Sequence, residues 1–265
     1  MLTFLRKIRK SLIESGSTQK YLLYAIGEIL LVMMGILLAL QVNNWNETRS
    51  KRSEITLYLG NLQQSLNDNI SHFTEAQYQN SSRFNCFKYV LNAANISFRD
   101  DIFLLTQESD TSTYWNGIRP QNNDRTFVDM CFELSSRGRV LIVNKSTLDE
   151  LKGTGLFSFI ENEPLKKMIN DYYDSFDFHF SSWRENMFKE GTEEWKAFIR
   201  ENYHIDHQEM FKVQDPIALV KNNIDLQLEI KRLMSGAIFR ANGATKLKRL
   251  AEELIQSIEE ELDLM

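Results

Sequence analysis

The feature that most constrains this chain is an apolar run near its N-terminus. Residues 21–42 read YLLYAIGEILLVMMGILLALQV, and Glu28 is the single charged residue among them. An α-helix rises about 1.5 Å per residue and the hydrocarbon core of a bilayer is about 30 Å thick, so a helix of this length crosses a membrane once. Buried helices of soluble proteins seldom contain so long an unbroken apolar stretch. We therefore predict a transmembrane helix over residues 21–42.

A cleaved signal peptide is the main alternative for this run. The apolar region of a signal peptide is typically about 7–15 residues long and ends at a cleavage site with small residues. Here the run is longer, and it ends in the sequence ALQVN at residues 39–43, which offers no such site. The sequence therefore predicts an uncleaved signal anchor.

The charges beside the run predict its orientation. Residues 1–20 contain five lysines and arginines, whereas residues 43–62 contain three. Cations close to a membrane span favour the cytoplasmic side. We therefore expect residues 1–20 to be cytoplasmic and residues 43–265 to form a domain on the outer side of the membrane.

Glu28 is an unusual residue for a span, because an ionised carboxyl at the centre of a bilayer costs roughly 2.5–3.5 kcal/mol. Helical spacing places Glu28 on one face with Val32, Gly35 and Ala39. Gly35 and Ala39 form a small-xxx-small pair, which allows two helix backbones to approach closely. We predict that these four residues, called the span face below, form a self-association surface. A protonated or snorkelling Glu28 on an isolated helix is the alternative.

The rest of the chain is acidic and poor in residues that interrupt helices. Removing the five cations of residues 1–20 and the acids Glu14 and Glu28 leaves 26 cations against 34 acids. A surface of this sign argues against nucleic acid as a partner. Only three prolines and eleven glycines occur in 265 residues, which favours long helices over sheets. The predicted fold is therefore mostly α, with one N-terminal transmembrane helix followed by an extracytoplasmic helical bundle.

Apolar spacing predicts the helices of the domain at residues 43–265. Apolar residues recur at steps of three and four from Ile55 to Phe73, which is typical of an amphipathic helix. The further predicted helices are Thr126–Ser136, Ser146–Gly153 with Ser146 as its cap, Leu165–Tyr203 with a break near Gly191, Ile217–Arg240, and a last helix with the apolar stripe Leu247, Leu250, Leu254, Ile258 and Leu262.

Two segments do not follow this helical pattern. Asp110–Asp124 is polar and contains Gly117 and Pro120, so it is predicted to be a loop. Arg139–Val143 is the one short β-branched run, but a lone strand has no partner with which to pair in this chain.

The cysteines and histidines are candidate site residues. Cys86 and Cys131 are the only cysteines. An oxidising compartment allows a disulfide between them, but their apolar sequence neighbours favour two buried free thiols. His204 and His207, with His179 upstream, form the only cluster with metal-like spacing. No third ligand stands at a recognisable spacing, so a solvated loop is favoured and no metal or other cofactor is predicted.

The densest aromatic patch is the second candidate site. Tyr172, Phe176, Phe180 and Trp183 share one face if residues 165–203 are helical there. Such a face fills a core, which is the favoured interpretation, or lines a ligand pocket between helices. The chain shows no glycine-rich phosphate loop and no Gly-x-Ser-x-Gly elbow, so no catalytic residues are predicted.

Several stretches of the chain resemble a known family. FLRKIR at residues 4–9, KYLLYAIGEI at residues 20–29 and GILLALQVNNWN at residues 35–46 resemble the N-terminal signature of an uncharacterised family of single-span membrane proteins from bacteria of the Bacteroidota type. LDELKGTG at residues 148–155, followed by residues 165–173, resembles its second recurring block. The resemblance implies an inner-membrane anchor with a helical domain in the periplasm, and it implies no activity.

These observations together predict a non-enzymatic, membrane-anchored protein. Its helical domain is expected to self-associate or to dock a partner protein of the cell envelope, and its other partner is the lipid bilayer. The alternative is a sensor-like domain that binds a small ligand between helices and works with a separate signalling partner.

Overall fold

The computed structural model describes residues 18–98, 124–134 and 141–265, and within these ranges it describes all side chains except those of residues 18–21 and 24. The described residues contain helices and no strand, which confirms the predicted mostly-α fold. The helices are α1 Thr18–Ala93, α2 Arg125–Leu134, α3 Ser146–Gly153, α4 Glu163–Phe180, α5 Ser182–Tyr203, α6 Pro216–Asn222 and α7 Ile224–Leu264, with two short 3-10 helices at Leu156–Phe159 and Met210–Lys212. By its internal contacts the chain divides into two units, Met1–Ile55 and Thr56–Met265.

The first unit consists, in its described part, of the N-terminal portion of α1. This portion is long and apolar enough to cross a membrane, and none of its most apolar window is buried within the protein. Val32 is 55% exposed, and Gly35 and Ala39 are also exposed. The helix continues through Asn43–Asn46, whose residues are poor helix formers, into a turn where Lys51 forms an ion pair with Glu47 at 2.7 Å.

The second unit is built around three long helices. The remainder of α1 and the whole of α4 run in one direction, and α7 runs in the opposite direction. Two polar contacts show this arrangement: Gln63 of α1 donates to Glu259 of α7 at 2.7 Å, and Asn162 at the start of α4 donates to Glu261 at 2.8 Å. The apolar stripes predicted on α1 and α7 face the core. Their almost completely buried residues are Leu59, Leu62, Leu66 and Phe73 on α1, and Leu247, Leu254 and Ile258 on α7. Ile70, Leu250 and Leu262 of the same stripes are half-buried.

The other end of this unit has a second core. The end of α1, α2, the later part of α5, α6 and the start of α7 supply its side chains. The rings of Phe132 and Trp195 stack there with their centroids 6.4 Å apart. Arg125 at the start of α2 donates to the main-chain carbonyls of Phe211 and Gln214. Helix α2 confirms the helix predicted at 126–136 over its described part, which ends at Leu134.

The predicted break near Gly191 is wrong, because the helix ends eleven residues earlier, at Phe180. Ser181 has an extended backbone, and its hydroxyl accepts a hydrogen bond from the backbone amide of Arg184, so it is the N-cap of α5. Gly191 lies inside α5. A Cβ built on Gly191 would meet Nη1 of Arg232 at 2.6 Å, so this glycine makes room for a side chain of α7.

The helix predicted at Ile217–Arg240 is also divided differently in the structure. Helix α6 ends at Asn222, and Asn223 caps α7 by accepting from the amide of Leu226 at 2.9 Å. Helix α7 then continues without interruption to Leu264 and includes the separately predicted last helix. Asparagine caps a helix because its side-chain oxygen replaces a missing main-chain acceptor.

Helix α3 has the predicted bounds, but Ser146 is not its N-cap. Ser146 is its first residue, and the side chain of Asn144 accepts from both the amide and the hydroxyl of Ser146. The prediction that Ser146 caps this helix is therefore wrong, because Lys145 occupies the N-cap position. Residues 141–143 are neither helix nor strand, and residues 139–140 of the considered strand, like residues 110–123 of the predicted loop, lie outside the described residues.

Candidate ligand cavity

A cavity of about 330 Å³ lies between α5 and α7, beside the end of α4. Three arginines belong to its lining, so it is called the arginine cavity below. Its lining residues are His179, Arg184, Met187, Phe188, Gly191, Arg232, Leu233, Ser235, Gly236, Phe239 and Arg240.

The cavity exists because small residues face each other where α5 passes α7. Gly191 lies on α5, and Ser235 and Gly236 lie on α7. A Cβ built on Gly236 meets no atom within 4 Å, so the missing side chain leaves open space. The small residues thus leave a cleft between the two helices that is partly open to solvent, as the 48% exposure of Met187 in its lining shows.

The interior of the cavity is apolar and aromatic. Met187 and Phe188 line it from α5, and Leu233 and Phe239 line it from α7. The ring of His179 stacks against Phe239 with the centroids 5.3 Å apart. An apolar interior with a few polar groups at defined places is the usual composition of a small-molecule site.

Arg184 lies in a cradle of aromatic rings. Its guanidinium carbon is 4.9 Å from the ring centroid of Trp183, 5.4 Å from that of Phe178 and 5.5 Å from that of Phe239. Each contact is a cation–π interaction worth about 0.5–1 kcal/mol at an exposed site. Within the described part of the chain, Arg184 forms no ion pair with a carboxylate.

Arg232 is committed to contacts within the protein. It forms an ion pair with Glu229 at 2.7 Å and another with Glu194 at 3.3 Å. It also donates to the main-chain carbonyl of Gly191 at 2.9 Å. Arg232 therefore joins α5 to α7 at one end of the cavity.

Arg240 forms a buried ion pair with Glu185. Their side chains are 4% and 8% exposed, and Nη1 of Arg240 is 2.5 Å from Oε1 of Glu185. The guanidiniums of Arg240 and of Arg83, from α1, lie 4.2 Å and 4.9 Å from the ring centroid of Phe188. Burial, together with the nearby Arg240, lowers the pKa of Arg83 to about 9. Burial also raises the pKa of Glu185, and Arg240 opposes that rise.

His179 is held at the edge of the cavity by the backbone around it. Its Nδ1 lies 2.8 Å from the carbonyl oxygen of Ser175, which is an acceptor, so Nδ1 carries the proton of the neutral ring. A Cβ built on Gly243 would meet Cδ2 of the ring at 2.6 Å, so the ring needs a glycine at that position. Burial lowers the pKa of His179, and Lys246 and Arg184 lower it further by charge repulsion.

A wider groove of about 800 Å³ opens on the other side of α5. Three of the four predicted aromatic residues line it, namely Phe176, Phe180 and Trp183. Glu185 also lines this groove, whereas its partner Arg240 lines the arginine cavity. The buried ion pair therefore lies in the wall between the two openings.

The predicted aromatic face is only partly one face. Tyr172, Phe176 and Phe180 lie on α4 and are buried, whereas Trp183 belongs to α5 and is 61% exposed. The break at Ser181 changes the direction of the face before Trp183. The hydroxyl of Tyr172 accepts from Nδ2 of Asn69 at 3.2 Å, and burial raises the pKa of Tyr172. Tyr172 is thus a core residue.

The structure does not bring together the three histidines that were considered as a metal-binding cluster, His179, His204 and His207. His204 ends α5 in a left-handed conformation with φ 58°, and His207 is a buried residue of the following turn. His179 lies in the arginine cavity. Among the described residues, no group of three potential metal ligands comes together.

Cys86 and Cys131 both lie in the second core and are not joined in a disulfide. Both are almost completely buried, Cys86 at 3% and Cys131 at 1% exposed. The sequence left open a disulfide or two buried free thiols, and the structure contains the buried free thiols.

Sequence reasoning missed Arg184 and Arg240 because each lies far from the other along the chain. The available signal was the composition of α7. Arg240 stands among Ala237, Ile238 and Ala241, which form an apolar face, and a charged residue on such a face usually has a buried partner.

Comparison with known proteins supports an uncharacterised domain. A family model described as a family of unknown function (DUF6090) matches residues 28–117. The match begins within the apolar run and ends before the residues that line the arginine cavity. No curated protein and no solved structure matches the chain.

Proposed function

We propose that this protein is a non-enzymatic, single-span membrane protein whose helical domain acts in protein interaction. Residues 21–42 would anchor it in the inner membrane of a bacterial cell, with residues 1–20 in the cytoplasm and residues 43–265 in the periplasm. The observation that carries this proposal is the complete exposure of the apolar window of α1.

The exposed window requires something outside the chain to cover it. Leu31 is 73% exposed, Met34 64% and Leu37 62%, and their neighbours are similar. Soluble monomers rarely expose contiguous apolar patches larger than a few hundred Å², and larger patches mark a membrane or a protein interface. A continuous helix that is apolar on all sides fits lipid better than a single protein groove, because lipid covers every face at once.

The span face supports self-association within the bilayer. Gly35 and Ala39 have the spacing that brings two helix backbones close, and a Cβ built on Gly35 meets no atom of the chain within 4 Å. Val32 and Glu28 extend the same face toward the N-terminus. Docking of a different envelope protein on the helical domain is the other form that the interaction would take.

The test compares two identical substitutions in the span. Gly35→Leu places a bulky side chain on the span face, whereas Gly27→Leu places the same side chain about 80° away from Gly35 around the helix. In a bacterial two-hybrid assay of the full chain in membranes, we expect Gly35→Leu to reduce the self-association signal at least fivefold and Gly27→Leu to leave it near wild type. Equal signals for both variants, or no signal for the wild type, would contradict self-association through this face.

A second candidate function is favoured by the arginine cavity. A gap of about 330 Å³ with an apolar interior and an arginine at its edge is suited to a small ligand. The protein would then be a membrane-anchored binding domain that works with a separate signalling partner.

A further inference from the structure

We propose that the arginine cavity binds a small carboxylate that carries an aromatic ring, with Arg184 holding the carboxylate and Phe188 and Phe239 contacting the ring. This inference rests on the second candidate function, ligand binding, and names the chemical class of the ligand.

Arg184 is the cation that points to an anionic ligand. Arg232 has Glu229 and Glu194 as partners, and Arg240 has Glu185. Arg184 instead has aromatic contacts, which fix the guanidinium while leaving its N–H donors available to an acceptor. No acidic residue belongs to the described lining of the cavity, so no carboxylate of that lining balances the charge of Arg184.

The number of available cations indicates a single carboxylate. A planar guanidinium presents two parallel N–H donors that match the two oxygens of a carboxylate. A phosphate group carries more charge and usually recruits several donors or a helix N-terminus. One uncommitted arginine at the edge of a largely apolar cavity therefore fits a monoanion better.

The electrostatic environment of His179 supports the same sign of charge. Lys246 and Arg184 both repel a proton from this ring, so cations dominate the field at this edge of the cavity. An anion bound here would relieve the mutual repulsion of these cations.

The rest of the lining indicates an aromatic body. Phe239 already stacks with His179 and contacts Arg184, and the ring of Phe188 lies between α5 and α7. Aromatic pairs add about 0.5–1.5 kcal/mol beyond the area they bury. Gly236 leaves space for the ring of a ligand, because a Cβ built there meets no atom within 4 Å.

The experiment uses the full chain in nanodiscs of zwitterionic lipid, with 2-naphthoate as the fluorescent probe. The neutral analogue 2-naphthylmethanol has the same ring without the carboxylate. Binding is measured by fluorescence anisotropy, and empty nanodiscs provide the baseline. We expect wild-type protein to bind 2-naphthoate at least tenfold more tightly than the alcohol.

Three variants locate the site. Arg184→Gln should weaken naphthoate binding about tenfold and leave the alcohol unchanged, since a charge-assisted hydrogen bond is lost. Gly236→Leu should abolish binding of both compounds by filling the cavity. Gly60→Leu is the matched control, because Gly60 is also a helical glycine with no atom within 4 Å of a built Cβ but lies outside the cavity. Circular dichroism confirms that each variant is folded.

The outcomes separate this inference from the proposed functions. Equal affinity for naphthoate and the alcohol, both lost in Gly236→Leu, would overturn carboxylate recognition and retain ligand binding. Binding that survives Gly236→Leu, or no binding to the wild type, would overturn the site altogether. Neither result bears on membrane anchoring or on the span face.

Discussion

Gly236 and Gly243 lie two turns apart on α7 and serve opposite purposes. Gly236 borders open space, whereas Gly243 gives its space to the ring of His179. Glycine within a helix is destabilising by roughly 0.5–1 kcal/mol relative to alanine, since it loses more conformational freedom on folding. A helical glycine is therefore informative only together with the atoms that surround it.

These surroundings predict opposite effects of the same substitution. Gly236→Ala should raise the free energy of unfolding by about 0.5–1 kcal/mol, because the helix gains rigidity without a clash. Gly243→Ala should lower it by about 1–3 kcal/mol, because the new Cβ overlaps His179 and forces it from its place. Urea unfolding followed by circular dichroism measures both. Changes of equal sign would contradict the described packing of His179.

At the scale of elements, the junction between α4 and α5 decides where the cavity and the groove form. Both openings are lined by residues from the two helices that meet at Ser181. The hydroxyl of Ser181 caps α5, and the amide of Ser181 donates to the carbonyl of Asp177 at the end of α4. A single residue thus ends one helix and begins the next.

Removing this cap should destabilise the domain measurably. Ser181→Ala should lower the free energy of unfolding by about 1 kcal/mol, because the first turn of α5 loses an acceptor. Ser182→Ala is the control, because Ser182 is the next residue, is exposed and is not the N-cap. Thermal unfolding of both variants measures the difference. A midpoint as low for Ser182→Ala as for Ser181→Ala would show that the cap contributes nothing.

The helices were predictable from sequence, but their breaks were not. Apolar periodicity over 10 or more residues reflects the buried face of a helix, so α1, α4 and α7 follow from it. Glycine in a helix interior costs about 1 kcal/mol, and a serine N-cap contributes about the same amount to helix stability. Local sequence alone therefore does not decide whether the helix breaks at Gly191 or at Ser181. The side chain of Arg232 packs against Gly191, which lies 41 positions earlier in the chain. Only the folded structure brings these two residues together.

The cavity was beyond sequence reasoning for a related reason. The shape of the cavity depends on the absence of side chains at Gly191 and Gly236. Helical periodicity is read from the spacing of apolar side chains, so it gives no information about a glycine. Three residues of the predicted aromatic patch, Phe176, Phe180 and Trp183, line the neighbouring groove instead.

At the scale of the whole molecule, the chain combines an apolar helix with no cover of its own and a separately packed helical unit. The acidic excess lies beyond residue 42, whereas residues 1–20 are basic. The proposed orientation rests on the cations that flank the span, five in residues 1–20 against three in residues 43–62.

The orientation is tested with alkaline phosphatase fused after Met265, an enzyme that is active only outside the cytoplasm. We expect an active fusion in bacterial cells. Neutralising the four cations nearest the N-terminus leaves fewer cations before the span than after it, so this variant should lose much of that activity. The substitutions are Arg6→Gln, Lys7→Gln, Arg9→Gln and Lys10→Gln. An inactive wild-type fusion, with a fluorescent protein fused at the same place found folded in the cytoplasm, would reverse the proposed orientation.

The open space beside Gly236 also has a practical consequence. Because a built Cβ meets nothing there, alanine, valine and leucine at this one position form a graded series that fills the cavity by one or two carbon atoms at each step. Each step also favours or tolerates the helix, so the volume available to a guest molecule is adjustable while the scaffold stays constant. Substitutions at position 236 therefore measure how large a ligand the cavity accepts.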